Sequence, residues 1–250
     1  MVGHSNSQYD VHELDMTGSV SECSYLPGRM SRMQYRLALS LTPERYEHLL
    51  ERGWRRFGRT LFRPMCAACS ECRSLRIDAT AFQPTRSQRR TRNRNDDIQL
   101  HVGPPTATSE HLDLYNVYHL DMHERRRWPF REICRDQYFE SFMDGEFPFA
   151  REFQYRLNDR LVAVGLVDMT DRVMSSIYFY HHPELRERSL GTFSVLRELA
   201  LAQETGRHWL YMGYYIRDCI SMNYKNRFAP HQFLQQYVAD DEPAIWQVPE

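Results

Sequence analysis

Hydrophobic and polar residues alternate over short runs in the second half of the chain, a pattern typical of β-strands. Two such runs, residues 151–157 and 160–171, are joined by the two-residue turn signal Asn158-Asp159, and a third run covers residues 173–180. The pattern therefore predicts three consecutive antiparallel strands.

After these strands the hydrophobic period lengthens to that of an α-helix. Residues from Ser189 onward form an amphipathic helix that Gly206 ends. A fourth strand over residues 208–215, a short helix over 219–228 and a closing strand over 232–238 complete the pattern. This order predicts an α+β half built on a mixed sheet.

The first half opens with a polar tail and then a capped helix. Thr42 is the predicted N-cap, Pro43 takes the first helical position, and Gly53 ends the helix. Its predicted buried face consists of Tyr46, Leu49 and Leu50.

The rest of the first half is predicted to begin with two strands, over residues 57–64 and 74–82, and a charged helix over residues 83–97. A connector over residues 102–109 and two further helices, over residues 110–126 and 135–145, follow. The connector is rich in Pro, Gly and Thr, which makes it the best domain boundary. We therefore predict a smaller cysteine- and arginine-rich α/β region over residues 15–100 and a second domain over residues 108–238.

Composition narrows the class of protein. The chain has 250 residues, 42% of them hydrophobic, and a formal net charge of −1. It is long enough for a real core, and no apolar run reaches the roughly 18 to 20 residues that cross a bilayer. The N-terminus lacks the features of a signal peptide, so we expect a cytoplasmic protein without a membrane partner. A near-neutral chain attracts a polyanion only through local clusters of arginine.

The strongest local motif is CAACSEC, which places Cys66, Cys69 and Cys72 at double x-x spacing. Thiolates at this spacing bind a zinc ion or an iron–sulfur cluster, and Cys23 is the obvious fourth ligand. We expect a structural zinc or iron–sulfur site, and we expect no nucleotide cofactor. The alternative is a turn of small, partly buried residues.

The second motif is the arginine run TRSQRRTRNR. On a helix, four of its arginines share one side, a geometry that fits phosphate oxygens. They are Arg86, Arg89, Arg90 and Arg94. The alternative is a solvated face that Asp96 and Asp97 balance.

The third motif is RSLGTF, at the start of the helix that follows the three strands. Ser189, Leu190 and Gly191 stand at this helix N-terminus, where free backbone N–H groups make an anion site. Together with the strand before it and LYMGYY after it, the motif could seat an acyl donor between two splayed strands. The alternative is a plain cap by Ser189 with a close-packing glycine.

The segment YMGYYIRDCISMNYKNRFAP contains Lys225, the single lysine beside 31 arginines. An ammonium is compact and changes protonation more readily than a guanidinium, so a functional role is one interpretation. Chance survival in an arginine-rich chain is the other.

Five motifs, taken together, identify a family. CSYLPGRMSRMQYR, LFRPMCAACSECRSLRI, QPTRSQRRTRNR, SLGTF and LYMGYYIRDCISMNYKNRFAP stand here in the same order as in aminoacyl-tRNA–protein transferases. The chain resembles the bacterial aspartate/glutamate leucyltransferase branch over residues 20–237. One difference from the arginyl branch is Leu26, where that branch has a second cysteine.

The resemblance implies a cytoplasmic enzyme that moves leucine from leucyl-tRNA to proteins with N-terminal Asp or Glu and so marks them for N-degron degradation. It implies a GNAT-type acyltransferase fold in the second half, and no DNA partner. The implied tRNA contacts are Arg86, Arg89, Arg90, Arg94, Ser189, Leu190, Gly191, Tyr211, Gly213 and Tyr214.

With this resemblance, roles can be suggested for the reacting groups. Asp168 is expected to hold or deprotonate the attacking amine, with Lys225 nearby, and the alternative for Asp168 is a carboxylate that caps the turn before Thr170-Asp171. The ester could be oriented by Tyr178, Tyr211 or Tyr214. The acidic side chain of the acceptor needs a cation, for which the expected residues are Lys225, Arg227 and Arg76.

Two other functions fit the same sequence. One is transfer of arginine from arginyl-tRNA to the same acceptors. The other is a non-catalytic RNA-binding module held by a metal ribbon. The residues of the donor pocket do not by themselves decide between leucine and arginine.

Overall fold

A computed structural model describes residues 12–249 of the protein. The strands are β1 (Glu13–Thr17), β2 (Ser21–Glu22), β3 (Met30–Ser31), β4 (Met33–Ala38), β5 (Arg55–Phe57), β6 (Thr60–Pro64), β7 (Arg73–Asp78), β8 (Gln99–Gly103), β9 (Ala150–Leu157), β10 (Arg160–Met169), β11 (Val173–His181), β12 (Trp209–Tyr215), β13 (His231–Leu234) and β14 (Trp246–Gln247). The α-helices are α1 (Pro43–Glu51), α2 (Arg86–Arg94), α3 (Ser109–Arg126), α4 (Arg135–Phe142) and α5 (Leu190–Glu204), with 3₁₀ helices at Pro183–Arg188 and Asn223–Arg227.

An eight-stranded mixed sheet, in the order β14-β13-β7-β12-β11-β10-β9-β8, organises the molecule. β9, β10 and β11 are antiparallel, as predicted, and β11 and β12 are parallel neighbours joined through α5. Asn158 and Asp159 turn between β9 and β10 with φ of 50° and 63°, the left-handed conformation that a tight hairpin needs. This topology confirms the α+β, GNAT-like prediction.

The sheet also contains strands from the first half of the chain. β7 pairs with β12 on one side and β13 on the other, and β8 pairs with β9 at the far edge. The predicted regions 15–100 and 108–238 therefore share one sheet. Long-range pairing of this kind leaves no local signal in the sequence.

The helices cover the two faces of the large sheet. α5 packs over β11 and β12 on a core that includes Phe153, Leu199 and Leu210. α3 packs on β10 and β11 at the other face, where Tyr138 and Tyr180 are fully buried. Among residues 12–249, none of the helices has both the length and the apolar character needed to cross a membrane.

A second, four-stranded sheet in the order β1-β4-β6-β5 lies beside the large one. α1 forms as predicted: the Thr42 hydroxyl accepts the N–H of Arg45, and Gly53 follows the helix at φ 80°. Tyr46 and Leu49 are buried against Trp54 and Tyr211, so α1 joins the small sheet to the large one.

One buried ion pair fixes β5 to the large sheet. Arg56 donates from Nε to Oδ2 of Asp168 at 2.9 Å, and a second N–H of its fork bonds the other carboxylate oxygen. The side chains of Arg56 and Asp168 are 3% and 1% exposed, and the guanidinium lies 5.1 Å from the ring centre of Phe147. Because both charges are removed from water, each one depends on the other.

Asp168→Asn is expected to reduce the free energy of unfolding by about 3 to 5 kcal/mol, because it leaves the Arg56 guanidinium buried without its counter-charge. Urea denaturation measures this loss. The matched control is Asp97→Asn, which breaks the exposed Arg188–Asp97 pair and should cost at most about 1 kcal/mol. Equal, small losses in the two variants would show that the buried pair does not hold the sheets together.

Candidate functional site

β11 and β12 run together only at their first residues. Val173–Ser175 pair with Trp209–Tyr211, and past that point the two strands share no ladder. We call the gap between them the wedge. It confirms the predicted pair of splayed strands, and its open end lies toward the start of α5.

Arg55 of β5 fills part of the wedge. Its guanidinium donates to the hydroxyl of Ser175 at 3.3 Å and to the carbonyl oxygens of Ser176 and Ile177. Gly213, at φ 70°, makes room for it, because a Cβ there would lie 2.7 Å from the guanidinium carbon. Arg55 thus takes the place that a neighbouring strand would occupy along β11.

Lys225 approaches the wedge from the β12 side. Its Nζ donates to the carbonyl oxygen of Tyr214 at 2.7 Å and lies 3.2 Å from the sulfur of Met222. Burial, and then the positive charge of Arg55, lower the pKa of Lys225 to about 7; the Cys219 and Cys72 thiols oppose this. The ammonium therefore changes charge near neutral pH.

Tyr214 connects the wedge to a cleft of about 1060 Å³. Aromatic side chains on its walls include Tyr25, Phe57 and Phe62, and the hydroxyl of Tyr214 donates to the carbonyl of Phe62 at 3.0 Å. The charged side chains that line it are all arginines, namely Arg29, Arg32, Arg63 and Arg73. Among the described residues, the cleft wall carries no Asp or Glu.

The four cysteines predicted to bind a metal lie together in this cleft. Cys66 accepts the N–H of Arg32 and Cys69 accepts from Arg29, both at 3.4 Å, while burial raises the pKa of the Cys72 thiol to about 12. In the part of the chain that the structure describes, no three or more His, Cys, Asp or Glu side chains are arranged to hold a metal ion. The zinc or iron–sulfur site at these cysteines therefore stays a prediction.

The arginine run folds into α2 as predicted. Thr85 and Gln88 form a capping box at its start, and the arginines Arg86, Arg89, Arg90 and Arg94 all have exposed side chains. Asp97 does not balance them, because it pairs with Arg188 at 2.7 Å.

α2 joins the other predicted motifs by direct hydrogen bonds. Arg94 donates to the carbonyl of Glu187 at 2.7 Å, just before α5, and Gln88 donates to the carbonyl of Arg227 at 3.1 Å. The arginine run, the start of α5 and the segment of Lys225 therefore form one continuous side of the molecule.

The start of α5 differs from a plain side-chain cap. Ser189 is left-handed, with φ 57°, and its side chain makes no capping hydrogen bond within residues 12–249. A Cβ on Gly191 would lie 3.8 Å from Phe179, an ordinary contact, so close packing does not require this glycine. Leu190 is buried in the core below. Within residues 12–249 the first amides of the helix thus have no side-chain cap, and an anion site there stays a prediction.

Asp168 does not occupy the wedge, contrary to its predicted catalytic role. Its carboxylate is buried on the β5 side and bonded through both oxygens to Arg56. A carboxylate whose two oxygens both accept hydrogen bonds from a guanidinium is not free to take a proton from an amine.

Arg76 and Tyr211 also contact other residues of the protein outside the wedge, contrary to their predicted substrate contacts. Arg76 lies between Trp209 and Trp246, 4.0 and 4.3 Å from their ring centres, and donates to Gln232 and to the hydroxyl of Tyr211. Tyr211 itself is part of the buried cluster around α1. Both residues stabilise the junction of the sheets.

Two other predicted residues lie near the wedge but differ in detail. The side chain of Arg227 is exposed beside α2, so it extends the basic surface and does not enter the wedge. The ring of Tyr178 packs on Phe57, and burial holds its pKa well above the usual range. Its protonated hydroxyl can orient a group but cannot act as a base at neutral pH.

Tyr178 has a partner that sequence reasoning missed. Nδ1 of His119 lies 2.8 Å from the carbonyl of Tyr115 and must carry the ring proton, so Nε2 accepts from the Tyr178 hydroxyl at 2.8 Å. Burial lowers the pKa of His119, which keeps the neutral ring.

Arg55 and Glu198 were missed as well. Glu198 is 1% exposed on the inner face of α5, accepts from Ser194 at 3.0 Å, and has its pKa raised to about 7 by burial. An acidic residue on the apolar face of LRELALA was a usable signal for it. Arg55 carried the weaker signal of an arginine pair between two aromatic residues, in WRRF.

The splayed parallel strands, the helix start between them and the adjoining cleft define an acyltransferase with a GNAT-like fold. Two family models match the chain, arginine-tRNA-protein transferase N terminus over residues 21–90 and C terminus over residues 110–235. The chain belongs to this family of aminoacyltransferases.

Relatives cover nearly the whole chain. An aspartate/glutamate leucyltransferase of Helicobacter hepaticus is 35% identical over 90% of this chain and 94% of its own, and one of Aeromonas hydrophila is 37% identical over 86% and 89%. Among solved structures, FemX has a TM-score of 0.46 at 10% identity, covering 83% of this chain and 81% of its own. L-PGS from Bacillus licheniformis has a TM-score of 0.45 at 13% identity, covering 69% and 51%.

Lys225→Met tests the burial of the ammonium. The native state loses the lysine proton near pH 7 and the unfolded chain only near 10.5, so between these values the unfolded state binds more protons. The free energy of unfolding of the unaltered protein should therefore rise relative to that of Lys225→Met between about pH 7 and about pH 9. Below about pH 6 the difference should be constant. Urea titrations at several pH values measure it, and a difference independent of pH would contradict the buried ammonium.

Proposed function

We propose that the protein transfers leucine from leucyl-tRNA to the α-amino group of proteins that begin with Asp or Glu. The observation that carries the proposal is the continuous side formed by the α2 arginines, the start of α5 and the Lys225 segment, which borders the wedge. Phosphates of a charged tRNA can bind along this side while the terminal ester enters the wedge.

The charge of the cleft favours leucine over arginine as the donor group. Its four arginines and its lack of carboxylates, among the described residues, leave an arginyl side chain without a counter-charge. Aromatic residues such as Phe57 and Phe62 suit an apolar side chain instead. The same positive cleft attracts an acidic acceptor, in agreement with the names of the relatives.

The reaction needs little chemical assistance because the tRNA ester is already activated. The neutral amine of the acceptor attacks the ester carbonyl carbon, a C–N bond forms, and the C–O bond to the terminal ribose breaks. The proton that the amine loses balances the one that the ribose oxygen gains. An α-amine has a pKa near 8, so positioning of the two substrates should supply most of the rate.

Because the donor is charged tRNA, we propose that the enzyme acts in the cytoplasm, where it marks acceptors for N-degron degradation. A zinc ion or iron–sulfur cluster at the four cysteines would have a structural role.

Transfer of labelled leucine and arginine from charged tRNA to peptides beginning with Asp, Glu, Arg or Ala tests the proposal. We expect leucine to appear only on the Asp and Glu peptides. Arginine transfer to the same peptides would keep the reaction and change the donor. RNA binding without transfer from either tRNA would favour a non-catalytic RNA-binding module.

A second prediction concerns α2. Arg86→Glu combined with Arg90→Glu should raise the KM for leucyl-tRNA by about tenfold or more, because phosphate contacts are lost. For the same reason, the plot of the logarithm of the tRNA binding constant against the logarithm of the salt concentration should become shallower by about one to two units of slope. The KM for the acceptor peptide should not change.

Arg131→Glu combined with Arg135→Glu is the matched control, since it makes the same change of charge at exposed positions that are not part of α2. Equal effects of the two double variants on tRNA binding would show that α2 is an ordinary solvated helix.

A further inference from the structure

Two buried cations meet in the wedge without a carboxylate partner. Arg55 and Lys225 are 8% and 7% exposed, and their hydrogen bonds go to backbone carbonyls, one hydroxyl and one thioether. Within residues 12–249, neither has an ion pair with Asp or Glu. Buried charges left unpaired cost several kcal/mol, so this arrangement points to a missing anion.

Glu198 is a buried carboxyl group that interacts electrostatically with Arg55, but among the described residues it forms no ion pair with Arg55 or Lys225. Its Oε1 accepts from Ser194, its Oε2 has no hydrogen-bond partner among the described residues, and its charge is diminished by burial. The other groups that act on Lys225 are the thiols of Cys219 and Cys72, and neither is a carboxylate. The wedge therefore keeps a positive charge.

We propose that Arg55 and Lys225 together bind the side-chain carboxylate of the acceptor's N-terminal Asp or Glu, an inference that rests on the proposed function. The guanidinium of Arg55 is fixed by its bonds along β11 and offers a rigid fork. Lys225 has a compact charge on a flexible side chain. It can therefore reach the carboxylate of Asp or that of Glu, whose side chain is one methylene longer. This division of roles accounts for recognition of both acidic residues, and for the single lysine.

The arginines of the cleft wall are weaker candidates for this role. Arg63 donates to Gln34 and to the carbonyl of Val238, Arg32 donates to the carbonyl of Gly18, and Arg29 bonds Cys69. Arg73 is exposed and stacks on Phe233, 4.1 Å from the ring centre. None combines burial with a wedge position as Arg55 and Lys225 do.

The test compares peptides that differ only at the first side chain: Asp against Asn, and Glu against Gln. The unaltered enzyme should prefer the acidic peptide of each pair by about a hundredfold or more in kcat/KM. Arg55→Lys and Lys225→Met should each lower kcat/KM for the acidic peptides by at least tenfold and bring the acid-to-amide ratio toward one. The KM for leucyl-tRNA should stay within about twofold. Arg131→Met, at an exposed arginine that lines neither the cleft nor the wedge, is the matched control and should leave the ratio unchanged.

Each other outcome has a definite meaning. A ratio preserved in both variants overturns the proposal, and a raised KM for tRNA with a preserved ratio assigns the cations to a tRNA phosphate. If the unaltered enzyme transfers no amino acid to any peptide, the proposed function fails instead. Thermal melting shows whether the variants are folded. If Arg55→Lys does not fold, the comparison is made with Lys225→Met alone.

Proton uptake gives a second readout that a structural role would not affect. Lys225 must hold its proton to bind a carboxylate, so binding of a Glu-Ala amide dipeptide at about pH 8 should take up a proton. Calorimetry in two buffers of different ionisation enthalpy measures this number. We expect uptake to be greater in the unaltered protein than in Lys225→Met and to disappear with Gln-Ala amide. Equal values in all three experiments would contradict the proposal.

Discussion

The insertion of two adjacent arginines from β5 into the large sheet is the interaction on which the rest of the structure depends. Arg56 binds Asp168 and fixes the small sheet in place. Arg55 bonds the exposed edge of β11 and so satisfies backbone carbonyls that splayed strands would leave without partners. The small sheet is therefore part of the site: it holds the wedge open and forms the cleft wall.

The positive charge of the site comes from the local distribution of arginines and not from the net charge of the chain. The chain is nearly neutral, yet arginines and, among the described residues, no Asp or Glu line the cleft wall, and α2 presents exposed arginines. Guanidinium groups keep their charge at any physiological pH, which suits a permanent surface for phosphate. Lys225, in contrast, changes charge near neutral pH, because burial and the nearby Arg55 lower its pKa to about 7.

The parts of the fold that short-range signals specify were predictable, and the parts that depend on distant pairs were not. The cap at Thr42 and the turn at Asn158 are local, and both formed as expected. Asp168 was assigned to catalysis because it stands near a strand end, but Arg56, its partner, lies 112 positions earlier in the chain. For the same reason Arg55 gave no strong signal, since its importance arises only where β5 meets the gap between β11 and β12.

The most direct measurement of the central claim is a crystal structure of the enzyme with a dipeptide amide that begins with Glu. The account predicts its side-chain carboxylate in the wedge, within hydrogen-bonding distance of the Arg55 guanidinium and Nζ of Lys225, with the α-amine directed toward the open end of the strands. A carboxylate bound instead to Arg73 or Arg29 on the cleft wall, with the wedge cations unchanged, would contradict it.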